Sequence, residues 1–423
     1  MRRLLVYLAG EPVGNLEQDD SGLLEFRYRQ DWLDRAGASP LSRSLPLQEA
    51  AFRGKHARAF FAGILPEEEP RRRIAAILGV SERNDFALLE QIGGECAGAV
   101  SLLPEGVAPP VAGETRLREL SDGELQKIVT ELPDRPLMAG EDGLRLSLAG
   151  AQDKLPVVVR DGRLALPLGN TPSTHIIKPE PPRFPGLVAN EFFCMTLAKN
   201  LGLKVATVDR RTVGDKPCLI VQRYDRAVGA DGVVTRFHQE DFCQALGFPP
   251  ERKYQQEGGP LLRDCIALLR EWSTAPVLDL RDFLDVQIFN VLIGNADAHG
   301  KNYSMLYQGG QRRLAPFYDL VCTLAWPELS KTPAMKIGGD TSLDVFTAAP
   351  WQKMAKEARL SWPLIRERME ALSRKTFETL QAPAMRGVVN GDLEARVAAL
   401  AKDRASAMLR NLMHECLTDR QGQ

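Results

Sequence analysis

Phe283-Leu-Asp-Val-Gln-Ile-Phe-Asn-Val-Leu-Ile293 runs without a break into Gly294-Asn-Ala-Asp-Ala-His-Gly-Lys-Asn302, and the reading of the chain turns on that junction. The first stretch is strongly apolar, the pattern of a helix buried on most of its surface. The second gathers Asp297, His299, Lys301 and Asn302 at its far end. Clustering that many hydrogen-bonding groups beside a core is costly unless they are used. A polar turn closing a helix would also suit Gly294, Asn295 and Gly300. Asp297 and Asn302, however, form D-x-x-x-x-N, the spacing of the protein-kinase catalytic loop. There the Asp orients the attacking hydroxyl and accepts its proton, and the Asn ligates magnesium. A lysine at position 301 can steady a γ-phosphate as charge develops.

Working outward, Asp319 lies in Leu314-Ala-Pro-Phe-Tyr-Asp-Leu-Val321, seventeen positions beyond Asn302. The interval has room for two short strands, Tyr303 to Tyr307 and Arg313 to Pro316. Kinases place a second magnesium-binding Asp after such a hairpin. Upstream, Lys178 ends a strand in Thr174-His-Ile-Ile-Lys178, where a lysine can reach nucleotide phosphates. Glu191, at the start of the next helix, is placed either to pair with Lys178 or to act as an ordinary helix-start carboxylate. The loop Ala149-Gly-Ala-Gln-Asp-Lys154 can cover phosphates, because Gly150 permits backbone that turns N–H groups toward an anion. It matches neither the P-loop nor the dinucleotide fingerprint, so those readings fail.

Element signals fall in order along the chain. Leu4 to Leu8 and Leu23 to Tyr28 read as strands, with Gly10 to Gly14 a turn. The apolar run in Met1 to Gly10 is too short for a signal peptide. Phe60 to Leu78 reads as helical pieces broken at Pro66 and Pro70, and Pro104 to Pro110 as a linker. Ser121 and Glu124 form a capping box. Strands are expected at Leu155 to Val159, His175 to Lys178 and Cys218 to Gln222, and a helix at Asn190 to Leu201 closed by Gly202. From about His238 the pattern turns helical, with helices over Trp351 to Leu380 and Asp392 to Cys416 and a frayed tail from Thr418 to Gln423. The expected class is α+β in three parts: a β-rich segment 1–105, an α/β segment 106–237 and a helical segment 238–423. Two-lobed kinases share this order.

Lys+Arg 54 against Asp+Glu 55 leave a net charge of -1, so no overall field draws the chain to nucleic acid or membrane. The 44% hydrophobic content excludes wholesale disorder. Seven cysteines, Cys96, Cys194, Cys218, Cys243, Cys265, Cys322 and Cys416, are scattered without a CxxC and are expected as reduced thiols. No apolar run of about 18 residues suggests a membrane span. Arg71-Arg72-Arg73 reads as a solvated helix face, and His175 and His238 as satisfied structural histidines.

Ser147-Leu-Ala-Gly-Ala-Gln-Asp-Lys154, Thr174-His-Ile-Ile-Lys178, Gly294-Asn-Ala-Asp-Ala-His-Gly-Lys-Asn302 and Pro316-Phe-Tyr-Asp319 occur in that order. Together they closely resemble the HipA family, the kinase toxins of HipBA toxin–antitoxin modules, over nearly the whole chain. The resemblance implies a two-lobed HipA-type kinase with a β-rich N-terminal subdomain, an α/β N-terminal part and an all-helical C-terminal lobe. It implies ATP and Mg2+ as cofactors, Asp297 as catalytic base with Lys301 beside it, and Asn302 and Asp319 as metal ligands. Lys178 would contact the ATP phosphates, beneath the loop Ala149, Gly150, Ala151, Gln152, Asp153 and Lys154. Gln222, Arg223 and Tyr224 match the hinge segment that touches adenine, and His299, Gly300, Lys301, Asn302 and Tyr318 match further nucleotide contacts. Gln222 stands where the best-known member has Glu; hinge recognition is largely through backbone, so activity is expected to survive. Ser147 matches the family's autophosphorylated serine. The implied partners are a HipB-like helix-turn-helix antitoxin, operator DNA through it, and an aminoacyl-tRNA synthetase as substrate, all in the cytoplasm.

Two other readings remain open at this point. One is a catalytically idle subunit of a DNA-binding repressor complex, against which the four intact groups Asp297, Asn302, Asp319 and Lys178 argue. The other is a small-molecule or lipid kinase, since D-x-x-x-x-N chemistry serves any hydroxyl acceptor.

Overall fold

Leu4, Val6 and Leu8 are buried while Leu5 between them is only half-buried, the alternation of a strand with one face on a core. In the computed structural model, which describes residues 2–107, 115–169 and 171–421, this strand is β1 (Arg2–Leu8). It joins β2 (Glu11–Gln18), β3 (Leu24–Tyr28), β4 (Phe52–Arg53) and β5 (Val100–Pro104) in a sheet of order β4-β3-β2-β1-β5. A second sheet of order β10-β11-β9-β7-β8-β6 contains β6 (Leu117–Glu119), β7 (Leu155–Arg160), β8 (Arg163–Pro167), β9 (His175–Pro179), β10 (Val208–Val213) and β11 (Lys216–Gln222). The expected linker Pro104 to Pro110 is described as far as Val107; positions 108–110 lie outside the described residues.

The chain divides into two units, and the mixed content of helix and sheet is the α+β class. The first comprises Met1–Pro181, Asp209–Glu251 and Ser304–Gln311. One apolar cluster running from Leu4 to Ile220 draws on both sheets and the helices of this unit. The expected helical piece at Phe60 to Leu78 is two helices, Lys55–Gly63 and Glu68–Leu78. Pro66 separates them, but Pro70 sits in a first turn, where its missing N–H has no intrahelical partner to lose. Ser121 caps the helix Asp122–Glu131 with both capping-box bonds present.

Glu95 organises the interior of this unit. Its carboxylate, fully buried, accepts from Arg223 Nη1 at 2.9 Å and Arg226 Nη2 at 2.6 Å. Both guanidiniums also pair with buried Asp225, which accepts in addition from the Gly98 N–H at 2.7 Å. Burial alone would raise the Glu95 carboxyl; the opposing charges of Arg223, Arg226 and Arg236 reverse that and hold it below the usual carboxylate range.

The second unit comprises Pro182–Val208, Arg252–Tyr303 and Arg312–Gln423. Its central helix, Pro276–Ile293, starts with Pro at its first position and stops at Gly294 in the left-handed region. Every residue from Phe283 to Ile293 is buried, against the helices Leu262–Trp272, Trp362–Gln381 and Asp392–Gln421. The stretch Trp351 to Leu380 is not one helix: Arg359 takes a left-handed φ of 53° and separates Ala348–Ala358 from Trp362–Gln381. The tail expected to fray from Thr418 continues instead as helix to Gln421, and 422–423 lie outside the described residues. Among the described residues no helix is long and apolar enough to cross a membrane, and six of the cysteines are free and buried.

The helical pattern expected from His238 is preceded by a strand, His238–Asp241, paired with Ser304–Tyr307 in the first unit. Its Glu240 accepts from Ser42 Oγ, the Arg43 N–H and Tyr307 OH, and burial pushes its carboxyl up to about 7. A carboxyl raised in the fold stabilises below its unfolded pKa, and that stability is lost as pH rises toward the folded value. Glu240→Gln should therefore gain on wild type as pH rises from 4.5 to 8, by up to about 3 kcal/mol from the size of the shift. Urea denaturation across that range checks this; a constant difference would contradict it.

Candidate active site

The loop after Ile293 is pinned by backbone and amide groups before any charged side chain is considered. Asn295 donates from Nδ2 to Asn290 Oδ1 at 3.0 Å, and its own Oδ1 accepts from the Asp297 N–H at 3.0 Å. Thr323 Oγ1 accepts from the Ala296 N–H at 2.8 Å and donates to the Gly294 carbonyl at 3.1 Å. The Ala296 carbonyl accepts from the Ala334 N–H at 2.8 Å. Gly294 is required at the turn: its φ is +71°, and a Cβ there would lie 2.7 Å from Leu324 Cδ1.

Asp297 is thus held through its backbone. Its carbonyl accepts from the His299 N–H at 2.8 Å and from Asn302 Nδ2 at 2.9 Å. A carbonyl can only accept, so the Asn302 amide is oriented with NH2 toward Asp297 and Oδ1 away from it. That is the orientation an Asn needs to offer oxygen to a metal. Lys301 and His299 are buried, and the Lys301 carbonyl accepts from Tyr318 OH at 2.8 Å. Among the titratable groups of the described residues, no three His, Cys, Asp or Glu side chains form a metal cage. A donor set of one carboxylate and one amide oxygen fits Mg2+, which keeps waters and takes substrate phosphates rather than an all-protein cage.

Asp319 adopts a left-handed backbone, φ 53°. Non-glycine residues pay for this conformation, Asp and Asn least. The chain is fixed on both sides of it. Phe317 bridges to Val205, with its N–H on the Lys204 carbonyl and its carbonyl accepting from Ala206. Downstream, the buried Asn190 side chain holds both backbone groups of Cys322: Oδ1 accepts from its N–H at 2.8 Å and Nδ2 donates to its carbonyl at 3.0 Å. The conformation is therefore imposed by the surrounding structure.

The remaining expected residues, Glu191 apart, lie in the first unit. Lys178 is buried on β9, a central strand, opposite Leu219 of β11; Glu191 belongs to the second unit. Gln222 ends β11 opposite His175 with its side chain exposed. Arg223 differs from what a hinge contact suggests. Its guanidinium is engaged with Glu95, Asp225, Ser173 Oγ and the Cys96 carbonyl, and its N–H donates to the Thr174 carbonyl. Its side chain is structural, and a ligand could meet only its carbonyl. Tyr224 OH donates to Gln239 Oε1. Ser147 is 0% exposed; its hydroxyl donates to the Ile64 carbonyl at 3.1 Å and its N–H to the Glu95 carbonyl at 2.9 Å. Farther along the loop, the Gly150 carbonyl accepts from the Glu67 N–H, and Lys154 Nζ donates to the Ala149 carbonyl at 2.6 Å. Ala151 is exposed, Gln152 half-buried, and burial raises the Asp153 carboxyl.

Residue spacing did not single out Asn190, Asn290, Asn295, Thr323 or Tyr254. Asn290 could have been noticed as an amide within the mainly apolar stretch Phe283 to Ile293. Tyr254 OH donates to Asp297 Oδ1 at 2.8 Å from forty-three positions upstream, and nothing local marks it.

Comparison with known proteins gives a consistent picture. The family model described as the HipA-like C-terminal domain matches residues 146–382, and that of the HipA N-terminal domain matches residues 4–103. Y4mE of Sinorhizobium fredii, named a "putative kinase", is 49% identical over 90% of this chain and 91% of its own. The serine/threonine-protein kinase toxin HipA of Shewanella oneidensis is 34% identical over 79% of this chain and 78% of its own. A solved structure of the Shewanella oneidensis HipA, HipB and operator DNA complex superposes with a TM-score of 0.85 at 28% identity, covering 97% of this chain and 98% of that one.

The strained backbone at Asp319 separates folding from chemistry. Asp319→Asn tolerates the same φ, so its melting temperature should stay within about 2 °C of wild type. If Asp319 holds metal, as the sequence resemblance implies, phosphoryl transfer should fall at least about a hundredfold. Calorimetry and a γ-labelled ATP assay check the two halves; an active Asp319→Asn would reject Asp319 as a metal ligand.

Proposed function

The chain belongs to the HipA family, and from that membership we propose that it is an ATP- and magnesium-dependent protein serine kinase acting as the toxin of a toxin–antitoxin module. The observation that carries the reading is the Asp297 carbonyl accepting from both Asn302 Nδ2 and the His299 N–H, which closes the two ends of D-x-x-x-x-N into one loop and turns the Asn302 oxygen away from that carbonyl. In this reading Asp297 orients a serine hydroxyl and accepts its proton as the Oγ–P bond forms. The bond from the γ-phosphorus to the ADP oxygen breaks, and ADP departs with the electron pair. Lys301 would hold the transferring phosphoryl group. Bound Mg2+, on Asn302 and Asp319, would supply charge neutralisation to the phosphate oxygens. Lys178 and the loop 149–154 would contact the phosphates, and the backbone of Gln222 to Tyr224 the adenine.

The proposal extends to partners by relationship: a HipB-like antitoxin, operator DNA through it, and an aminoacyl-tRNA synthetase as the phosphorylated protein, in the cytoplasm. The division into segments 1–105, 106–237 and 238–423 is part of the same proposal, as working parts rather than compact units.

Ser147 is the proposed autophosphorylation site. Because its hydroxyl is buried on the Ile64 carbonyl, modification requires the segment around it to leave that position. A phosphate carrying about −1.5 to −2 charges cannot return to a site without water. The phosphorylated chain should bind ATP at least about tenfold more weakly, by repulsion from the nucleotide's own phosphates. Equal ATP affinity by calorimetry for modified and unmodified protein would reject this mode of silencing.

The central test is to incubate wild type and Asp297→Asn with ATP and Mg2+ and map phosphate by mass spectrometry. Phosphate on Ser147 in wild type alone is the expected result. ATP binding with no phosphate on either protein would favour an idle repressor subunit or a non-protein acceptor.

A further inference from the structure

The segment Lys253-Tyr-Gln-Gln-Glu-Gly-Gly259 is absent from the motifs that identified the site, yet it touches the reacting carboxylate. Tyr254 OH donates to Asp297 Oδ1 at 2.8 Å. Its ring meets the His299 ring edge-on, with centroids 5.2 Å apart and planes at 80°. The Lys253 ammonium lies over the phenol ring, 5.5 Å from its centroid.

The backbone fixes this side chain from several directions. The Gln255 N–H donates to the Ala334 carbonyl at 3.0 Å, and Gln255 Oε1 accepts from the Lys336 N–H at 2.7 Å. Ala334 in turn donates to the Ala296 carbonyl, one residue before Asp297. Gly259 donates to the Tyr254 carbonyl at 2.9 Å. A Cβ at Gly259 would lie 2.2 Å from the Arg252 carbonyl oxygen, so only glycine closes the turn behind the tyrosine. Tyr254 and Asp297 are therefore two ends of one hydrogen-bonded ladder through Gln255, Ala334 and Ala296.

We propose that Tyr254 is a positioning residue for the phosphoryl-transfer reaction: its hydroxyl fixes the rotation of the Asp297 carboxylate so that Oδ2 faces the acceptor serine. This rests on Asp297 being the base. A carboxylate anchored only at its backbone rotates about χ2, a broad torsion with no strong minimum. A phenol donating to one oxygen removes that freedom before substrate arrives, and preorganisation of this kind acts on the chemical step rather than on nucleotide binding. Tyr254 exchanges no proton with substrate. It also explains why the ring is held so firmly: an aromatic needed only for packing would not require its hydroxyl directed at Asp297.

The test uses the full chain and γ-labelled ATP, with rates taken per ATP-binding molecule. Tyr254→Phe keeps the ring and its contact with His299 and removes only the hydroxyl. Loss of a hydrogen bond to a charged group predicts a fall in kcat of roughly ten- to a hundredfold. KM for ATP and the melting temperature should stay near wild type. The same change in an Asp297→Ala background should leave the residual rate where it is, because the hydroxyl acts through that carboxylate. A kcat within twofold of wild type for Tyr254→Phe overturns the proposal, as does an equal proportional loss in both backgrounds. Asp297→Ala retaining the wild-type rate would instead reject the base itself, and is read in the same assay.

Discussion

A carboxylate with no access to water, Glu95, sets the geometry of the first unit. Its side chain holds Arg223 and Arg226, and its backbone pairs with the segment around Ser147, with its N–H on Arg145 and its carbonyl accepting from Ser147. One residue thus joins the loop proposed to cover phosphate to the end of the strand proposed to meet adenine. Buried charges suit this coupling because they tolerate few alternatives: an ion pair in such a place is strong when complete and strongly destabilising when one partner is missing. Hydrophobic packing alone would let the loop and the strand shift independently. Whether the cluster adds net stability is secondary to its fixing of position.

The second unit reaches a similar end with neutral groups. Asn290 projects from the buried end of its helix, donating to Tyr303 OH at 2.9 Å and accepting from Asn295. Amides pay less than ions to enter a core and still demand defined partners. Asn190 plays the corresponding part for the Asp319 turn. The carboxylates of Asp297 and Asp319 can then remain outside the core while their backbones are held from behind. Tyr254 extends this scheme from backbone to carboxylate.

Much of this follows from sequence where the cause is local. The buried helix ending at Gly294 is legible because apolar character and a left-handed stop are local properties. The capping box at Ser121 is legible for the same reason. The D-x-x-x-x-N spacing reports a loop whose own backbone bonds bring both ends together. Long-range contacts leave no such mark. Arg223 sits in a tripeptide that suggests ligand contact, and its true partner Glu95 is 128 positions away. Strands such as Arg226–Val228 and Val234–Arg236 are three residues each, too short for a period-two pattern to declare itself. Pro70 misleads as a helix breaker because its effect depends on where in the helix it falls. The Asp319 torsion is invisible to any pattern, since it is imposed by neighbours on both sides.

That torsion also bears on how such a protein changes over generations. At a left-handed position Gly fits without strain, and Asn and Asp with the least among the others. Single-base changes lead from an Asp codon to Gly and to Asn. Both would keep the turn clamped by Asn190 and Phe317 intact while discarding the carboxylate. If Asp319 holds metal as proposed, a lineage could thus lose the chemistry in one step and retain a well-folded chain. Intact folded descendants without activity should arise more readily here than at Glu95, where a single replacement endangers the fold itself.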